Sequence, residues 1–329
     1  MKLTVLGAGA WGTALAIHLA KKHNVSLWAR DSGHVSGMRK ARSNPMYLGD
    51  FMFPENLVVD DSLQKATTDT DLILSVVPTS GFREILQKLS NLSLTPIIWA
   101  NKGLEYETSQ LPHEIASQIL DNSKIKKKFG VLSGPSFAAE LVRDLPTAIT
   151  CASEDTELSK FVAEIFHHGN MRVYMSNDVI GVSVGGALKN VIAIAAGISD
   201  GMGFGNNARA ALITRGLAEI SRFGMAIGAS SETFSGLAGA GDLVLTCTGD
   251  YSRNREVGLR LAKGQKLDEV LSGLGHVAEG VNTAIEVNKR SKKLNIDMPI
   301  TNEVCQVLQD SKSPKDAVLD LLGRAIKTE

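Results

Sequence analysis

One lysine stands out by its surroundings. Lys189 has ten uncharged residues before it, Val179–Leu188, and ten after it, Asn190–Ser199, with Asp178 and Asp200 closing the run. A helix that is apolar nearly all round belongs in a core. A lysine there cannot stay both buried and unpaired. Either it snorkels out or pairs structurally, or it faces a polar cavity. In such a cavity desolvation favours the neutral amine, which suits general acid–base work near neutral pH. Candidate partners lie further along the chain. Asp242 and Thr246 stand four apart, so one helical turn would put them on one face. Ser252-Arg253-Asn254-Arg255 precedes a helical pattern. A guanidinium beside helix N-terminal amides makes a seat for a phosphate, the alternative being a capped surface helix start with solvated arginines. Upstream, Asn101-Lys102-Gly103 and Gly134-Pro135-Ser136 each follow a strand pattern. Ligand crevices of doubly wound sheets lie at the carboxyl ends of strands, which raises Lys102 above a generic surface lysine. Alcohol oxidation without a metal needs a proton acceptor, and Lys189 is the best placed by context.

A second group of residues suits a dinucleotide. Gly7-Ala8-Gly9-Ala10-Trp11-Gly12 follows an apolar run and opens a helical pattern, Thr13–Lys22. Gly7 permits a tight turn, Gly9 lets the backbone approach a pyrophosphate, and Gly12 lets the helix pack close to the strand. The helix N-terminus then offers free N–H groups and a positive dipole end. About twenty residues on, an acidic residue would bind the ribose 2′-OH of NAD. Ala29 falls there instead, followed by Arg30 and Asp31. Arg30 could pair with a 2′-phosphate or remain a solvated loop charge, and Asp31 could still reach the ribose. The pattern leans to NADPH, with NADH also accepted.

These residues need elements to hold them. The strand patterns are Leu3–Leu6, Val25–Ala29, Leu57–Val59, Leu72–Val77, Pro96–Ala100, Gly130–Ser133, Ala148–Cys151 and a last one at Arg172–Tyr174. Strands alternating with helical stretches predict an α/β fold, a Rossmann-type, doubly wound, mostly parallel sheet. From about Asp178 the alternation stops. Helical patterns follow at Val179–Ile198, Asn207–Phe223, Arg253–Lys263, Val277–Lys289 and Asn302–Gln309. The expected domains are residues 1–180, binding a dinucleotide, and residues 181–329, an all-helical domain binding substrate. His167-His168 reads as a solvated turn.

Composition narrows the function classes. The formal net charge is +0, so no field of one sign would gather nucleic acid or an anionic membrane. Cys151, Cys247 and Cys305 are far apart and form no paired motif, which suits a reducing compartment and gives no zinc site. The first residues read as a strand and not as a targeting leader. No uncharged apolar run reaches the ~18–20 residues of a membrane span. Signatures of zinc proteases, serine hydrolases and phosphate-loop NTPases are absent from the sequence. The expectation is a cytoplasmic protein with no metal, no nucleic-acid partner and no membrane span; a homodimer is compatible with the sequence.

Several segments together resemble the bacterial NAD(P)-dependent glycerol-3-phosphate dehydrogenases. They are Gly7–Ala14, Asn101–Leu104, Leu132–Ser136, Gly186–Asn190, Gly241–Cys247, Ser252–Asn254 and Val277–Gly280, in order along the chain. The resemblance implies reduction of dihydroxyacetone phosphate to sn-glycerol 3-phosphate, the backbone of phospholipids. It implies that Lys189 is the proton acceptor, oriented by Asp242 and Thr246. It assigns substrate contacts to Lys102, Gly134, Ser136, Lys189, Asn190, Asp242, Ser252, Arg253 and Asn254. It assigns the cofactor to Gly7, Gly9, Ala10, Trp11, Gly12, Arg30, Lys102, Ala138, Arg253, Val277 and Glu279. Ala10 departs from the serine common in the family; the hydroxyl is lost but the backbone N–H stays. Two other readings compete: a dehydrogenase of similar architecture with a carboxylate seat, acting on a 3-hydroxy acid or ketopantoate, and a non-catalytic dinucleotide sensor or repressor.

Overall fold

Eight short runs rich in Val, Ile and Leu pair into one sheet: β1 Lys2–Leu6, β2 Asn24–Trp28, β3 Leu57–Asp60, β4 Leu72–Ser75, β5 Ile97–Trp99, β6 Phe129–Ser133, β7 Thr147–Ala152 and β8 Met171–Ser176. The structure, a computed structural model, describes residues 1–92, 95–120, 128–274, 278–309 and 312–325. The strand order is β3-β2-β1-β4-β5-β6-β7-β8, parallel throughout except where β6 meets β7. Its first six strands follow the order of a doubly wound dinucleotide fold. Helices cover both faces of such a sheet, so its central strands read as continuous apolar runs without alternation. Every residue of β4 and β6 is buried accordingly. All eight strand patterns seen in the sequence are present, with ends shifted by one or two residues.

The chain divides into two compact units, Met1–Lys102 with Pro112–Val182, and Gly103–Leu111 with Ser183–Glu329. The first holds the sheet and α1 Ala10–Ala20, α2 Ser32–Ala41, α3 Leu63–Thr67, α4 Thr79–Leu92, α5 Pro112–Leu120, α6 Ala138–Val142 and α7 Thr156–Phe166. Then come α8 Val179–Gly201, α9 Gly205–Ala226, α10 Ser231–Ser235, a π-helical turn at Leu237–Gly241, α11 Asp242–Thr248, α12 Arg253–Ala262, α13 Leu267–Leu274, α14 Glu279–Lys293, α15 Pro299–Leu308 and α16 Pro314–Leu322. The short helices α10, α11, α13 and α16 carry too few periods for a pattern to show. α8 is long and apolar enough to cross a membrane by length and composition, yet 94% of its apolar window is buried inside the fold. Gly103–Leu111 joins the second unit because Ser109 Oγ donates to the buried Glu286 Oε2 at 2.5 Å and Arg290 donates to the Ser109 carbonyl at 3.1 Å.

The solvated turn expected at His167-His168 is corrected. His168 is buried and stacks on His18 of α1, with ring centroids 3.9 Å apart and planes 4° from parallel. His18 Nε2 lies 3.1 Å from the Phe166 carbonyl. The chain leaving α7 therefore passes against the last turn of α1, which two adjacent polar residues could not reveal. Burial, reinforced by the neighbouring His18, pushes His168 down to about 4.

Candidate functional site

In the first unit the site is built from backbone. The sheet reverses its winding beside β1, with β2 on one side and β4 on the other. The turn leaving β1 therefore opens at the switch point. Gly7 has φ 108°, and a Cβ there would lie 2.7 Å from the Val76 carbonyl oxygen. A Cβ on Gly12 would lie 1.9 Å from the Gly7 carbonyl oxygen. A Cβ on Gly9, by contrast, would meet nothing within 4 Å. Two of the glycines are thus required by the fold, while the third leaves an open approach to the backbone. α1 starts at Ala10, three residues before the expected Thr13, with Gly9 as its N-cap and no side chain capping it. The first N–H groups of α1, Ala10 included, serve this opening, which fits a dinucleotide pyrophosphate. Trp11 packs its half-buried ring against the core.

The strand-end residues divide into used and exposed groups. β2 stops at Trp28, and Ala29 is buried with its N–H bonded to the Asp60 carbonyl at 3.1 Å. Asp31 caps α2 by accepting from the His34 N–H at 2.6 Å, so its carboxylate is engaged by its own helix. Arg30 is exposed. At the ends of β5 and β6, Lys102 Nζ donates to the Gly134 carbonyl at 3.4 Å and Ser136 Oγ donates to the same oxygen at 3.0 Å. Gly134 has φ 143°, and a Cβ there would lie 2.9 Å from Ile149 Cα. Three of the residues selected from sequence therefore meet at one carbonyl. Ala138 opens α6 and is half-buried against the core.

In the second unit the site is built from side chains. Lys189 lies mid-way along α8 and is 7% exposed. Its ammonium donates to Asp242 Oδ1 and, at 2.9 Å, to Thr246 Oγ1. Thr246 in turn donates to the Asp242 carbonyl at 2.6 Å, so its oxygen meets the lysine as an acceptor. Neither snorkelling nor an unpaired burial describes this lysine. A glycine explains how the carboxylate gets so close. A Cβ on Gly185, one turn before Lys189, would lie 2.3 Å from the Ala238 carbonyl oxygen. α8 thus touches the π-helical turn backbone to backbone, and one turn further along both elements the contact becomes the ion pair. Such π turns are rare and occur often at functional sites.

The phosphate-seat candidates sit at the N-terminus of α12. Ser252 is its N-cap, accepting from the Arg255 N–H at 3.3 Å. Arg253 is exposed. Asn254 Oδ1 accepts from the Gly280 N–H at 3.1 Å, and a Cβ on Gly280 would lie 2.8 Å from the Asn190 carbonyl oxygen. Asn190, Asn254 and the start of α14, with Glu279 as its first residue, therefore converge. Val277 lies outside the described residues. Sequence reasoning missed Gly185 and the Asp200 network described below; glycines inside an apolar helix were the available signal.

An open backbone cradle at the switch point of a doubly wound sheet is the mark of the dinucleotide-dependent oxidoreductases. Comparison with known proteins narrows the class. Residues 2–159 match the N-terminal family profile, and residues 178–319 the C-terminal one, of NAD-dependent glycerol-3-phosphate dehydrogenase. Glycerol-3-phosphate dehydrogenase [NAD(P)+] of Methylobacillus flagellatus is 60% identical over 330 residues, covering 100% of this chain and 99% of the relative. The crystal structure of glycerol-3-phosphate dehydrogenase from Coxiella burnetii superposes with a TM-score of 0.94 at 42% identity, covering 98% of this chain and 99% of that one. The chain belongs to the NAD-dependent glycerol-3-phosphate dehydrogenase family. A probable 2-dehydropantoate 2-reductase from Bacillus subtilis shares the fold alone, with a TM-score of 0.55 at 15% identity.

Proposed function

We propose that this protein reduces dihydroxyacetone phosphate to sn-glycerol 3-phosphate, reversibly, with NADPH as the preferred cofactor and NADH also accepted. The buried Lys189 ammonium, held by Asp242 and Thr246, is the observation that carries this reading. The cofactor, when bound, supplies a hydride to the carbonyl carbon. Lys189 hydrogen-bonds the carbonyl oxygen, stabilises the negative charge that develops there and gives it a proton. Asp242 and Thr246 hold the ammonium and fix its position. In the oxidative direction Lys189 is the proton acceptor.

The phosphate is assigned to the first turn of α12, where Arg253 supplies a guanidinium and the helix N-terminus its amides. Asn254 gives its oxygen to Gly280, which leaves its NH2 as the end able to donate to the phosphate. Ser252 and Asn190 complete the assignment in the second unit, and Lys102, Gly134 and Ser136 in the first. Gly7, Gly9, Ala10, Trp11, Gly12, Arg30, Lys102, Ala138, Arg253, Val277 and Glu279 are assigned to the cofactor. The first unit is thus the dinucleotide domain and the second the substrate domain. The product suits phospholipid synthesis. All three cysteines are free, which supports a cytoplasmic location, and a homodimer is the assembly we propose.

Loss of NADPH absorbance tests the reading. Turnover is expected with dihydroxyacetone phosphate and far less with dihydroxyacetone; NADH should replace NADPH at lower efficiency. Equal rates on the two ketones would rule out the phosphate seat.

A further inference from the structure

α8 and α12 meet along a seam of close backbone contacts at glycines. A Cβ on Gly197 of α8 would lie 2.0 Å from the Arg255 carbonyl oxygen, and a Cβ on Gly258 of α12 would lie 2.1 Å from the Ile194 carbonyl oxygen. Glycines let the two backbones touch, and further along a Cβ on Gly201 would lie 2.6 Å from the Ala262 Cβ. Such contacts are steric and carry no direction, so a polar tie between the helices adds to the register that packing alone supplies. That register matters. α8 carries Lys189, assigned to the reacting oxygen, and the first turn of α12 carries Arg253, assigned to the phosphate.

A buried carboxylate in the seam adds a directional tie. Asp200, the penultimate residue of α8, has a side chain only 5% exposed. Arg255, in the first turn of α12, brings Nε and Nη2 to Asp200 Oδ2, each at 2.8 Å. Arg209 of α9 brings Nε and Nη2 to Oδ1, each at 2.7 Å. A planar fork on a buried carboxylate is directional, unlike a glycine contact. One carboxylate therefore ties the first turn of α12 to α8 and braces it on α9.

We infer that Asp200, acting through Arg255, is a positioning residue that sets the spacing between the proton donor Lys189 and the phosphate seat at Arg253, and so matches the enzyme to a three-carbon phosphate. The inference rests on the function proposed above. Asp200 touches neither reacting atoms nor phosphate; it determines whether one substrate can use both ends at once.

The test compares Asp200→Asn and Arg255→Lys with the unaltered enzyme, using dihydroxyacetone phosphate and unphosphorylated dihydroxyacetone. A displacement of about 1 Å can cost on the order of 100-fold. The variants should lose about that much kcat/KM on the phosphorylated ketone. Activity on dihydroxyacetone, which needs only Lys189, should be unchanged. Inhibition by inorganic phosphate, which needs only the seat, should also persist. Equal losses on both ketones, or no loss, would overturn the inference. Arg255→Lys keeps the charge, so it carries the comparison if Asp200→Asn does not fold. An unaltered enzyme that fails to distinguish the two ketones would instead overturn the proposed function.

Discussion

The two units build their candidate sites in opposite ways. The turn from Gly7 to Gly12 offers backbone: a positive-φ glycine, a glycine pressed on its neighbour's carbonyl, and an uncapped helix start. The helical unit offers side chains: a lysine on a carboxylate, and a guanidinium at the start of α12. A backbone site is local, because its donors are neighbours in sequence and its shape follows from φ and packing. A side-chain site is assembled from residues far apart, here 189, 242, 246 and 253, and depends on helices holding their offsets. Backbone sites should therefore fail through sterics, and side-chain sites through charge and position.

The largest effect should come from the side-chain site. Lys189→Ala removes the proposed proton donor, and a positioned general acid contributes about 10²–10⁴-fold. kcat should fall by about 10³ while NADPH affinity, read by fluorescence titration, stays within a factor of about two. The variant also leaves Asp242 buried without its cation, a fault that costs about 3–5 kcal/mol. A lower melting temperature should therefore accompany the loss of turnover. Near-normal turnover would remove Lys189 from the mechanism.

The same contrast decides what the sequence reveals. The glycine turn is contiguous, so spacing alone identifies it, and the eight strands follow from apolar runs between breakers. Lys189 is conspicuous because it is a lone charge in an apolar helix. Its partner is not conspicuous: Asp242 lies 53 residues away and reaches it only because Gly185 lets α8 touch a π turn that no periodicity announces. Asp200 reads as the end of an apolar run, and its two arginine partners lie 9 and 55 residues on. The burial of His168 depends on α1, 150 residues upstream as His18. Patterns show which face of a helix is apolar, not which helix will cross it.

Within the backbone site, two glycines should separate cleanly. Gly9 has open space where a Cβ would go, so Gly9→Val should leave the melting temperature unchanged. It should weaken NADPH binding about tenfold or more, through crowding worth about 1–3 kcal/mol. Gly12→Ala should do the reverse. Its Cβ would lie 1.9 Å from the Gly7 carbonyl oxygen, and the strain should lower Tm by about 5–10 °C. If Gly9→Val melts early with cofactor affinity intact, the open cradle is not where the pyrophosphate sits. Arg30→Ala probes the side chain proposed to pair with the 2′-phosphate. A charge-assisted hydrogen bond contributes about 1.5–3 kcal/mol, so the NADPH-to-NADH preference in kcat/KM should shift towards NADH by about tenfold or more. An unchanged ratio would make Arg30 a solvated charge.

The smallest expected effect lies in the first unit, away from the glycine turn but on the same helix. His18 and His168 are both depressed below the ordinary histidine value, chiefly by burial. Around them, Lys21, Lys22 and His23 disfavour a further positive charge, while Asp144 favours it on His18. A histidine depressed in the folded state binds its proton more readily in the unfolded chain. Its contribution to stability is therefore complete above about pH 6.5 and is lost as pH falls towards about 4, the folded value for His168. Tm should be flat from pH 8 to about 7 and decline from about 6.5 downwards. His168→Gln cannot titrate and should flatten that decline, at some loss of Tm at neutral pH from the disturbed stack. An identical pH profile in the variant would assign acid sensitivity to other groups.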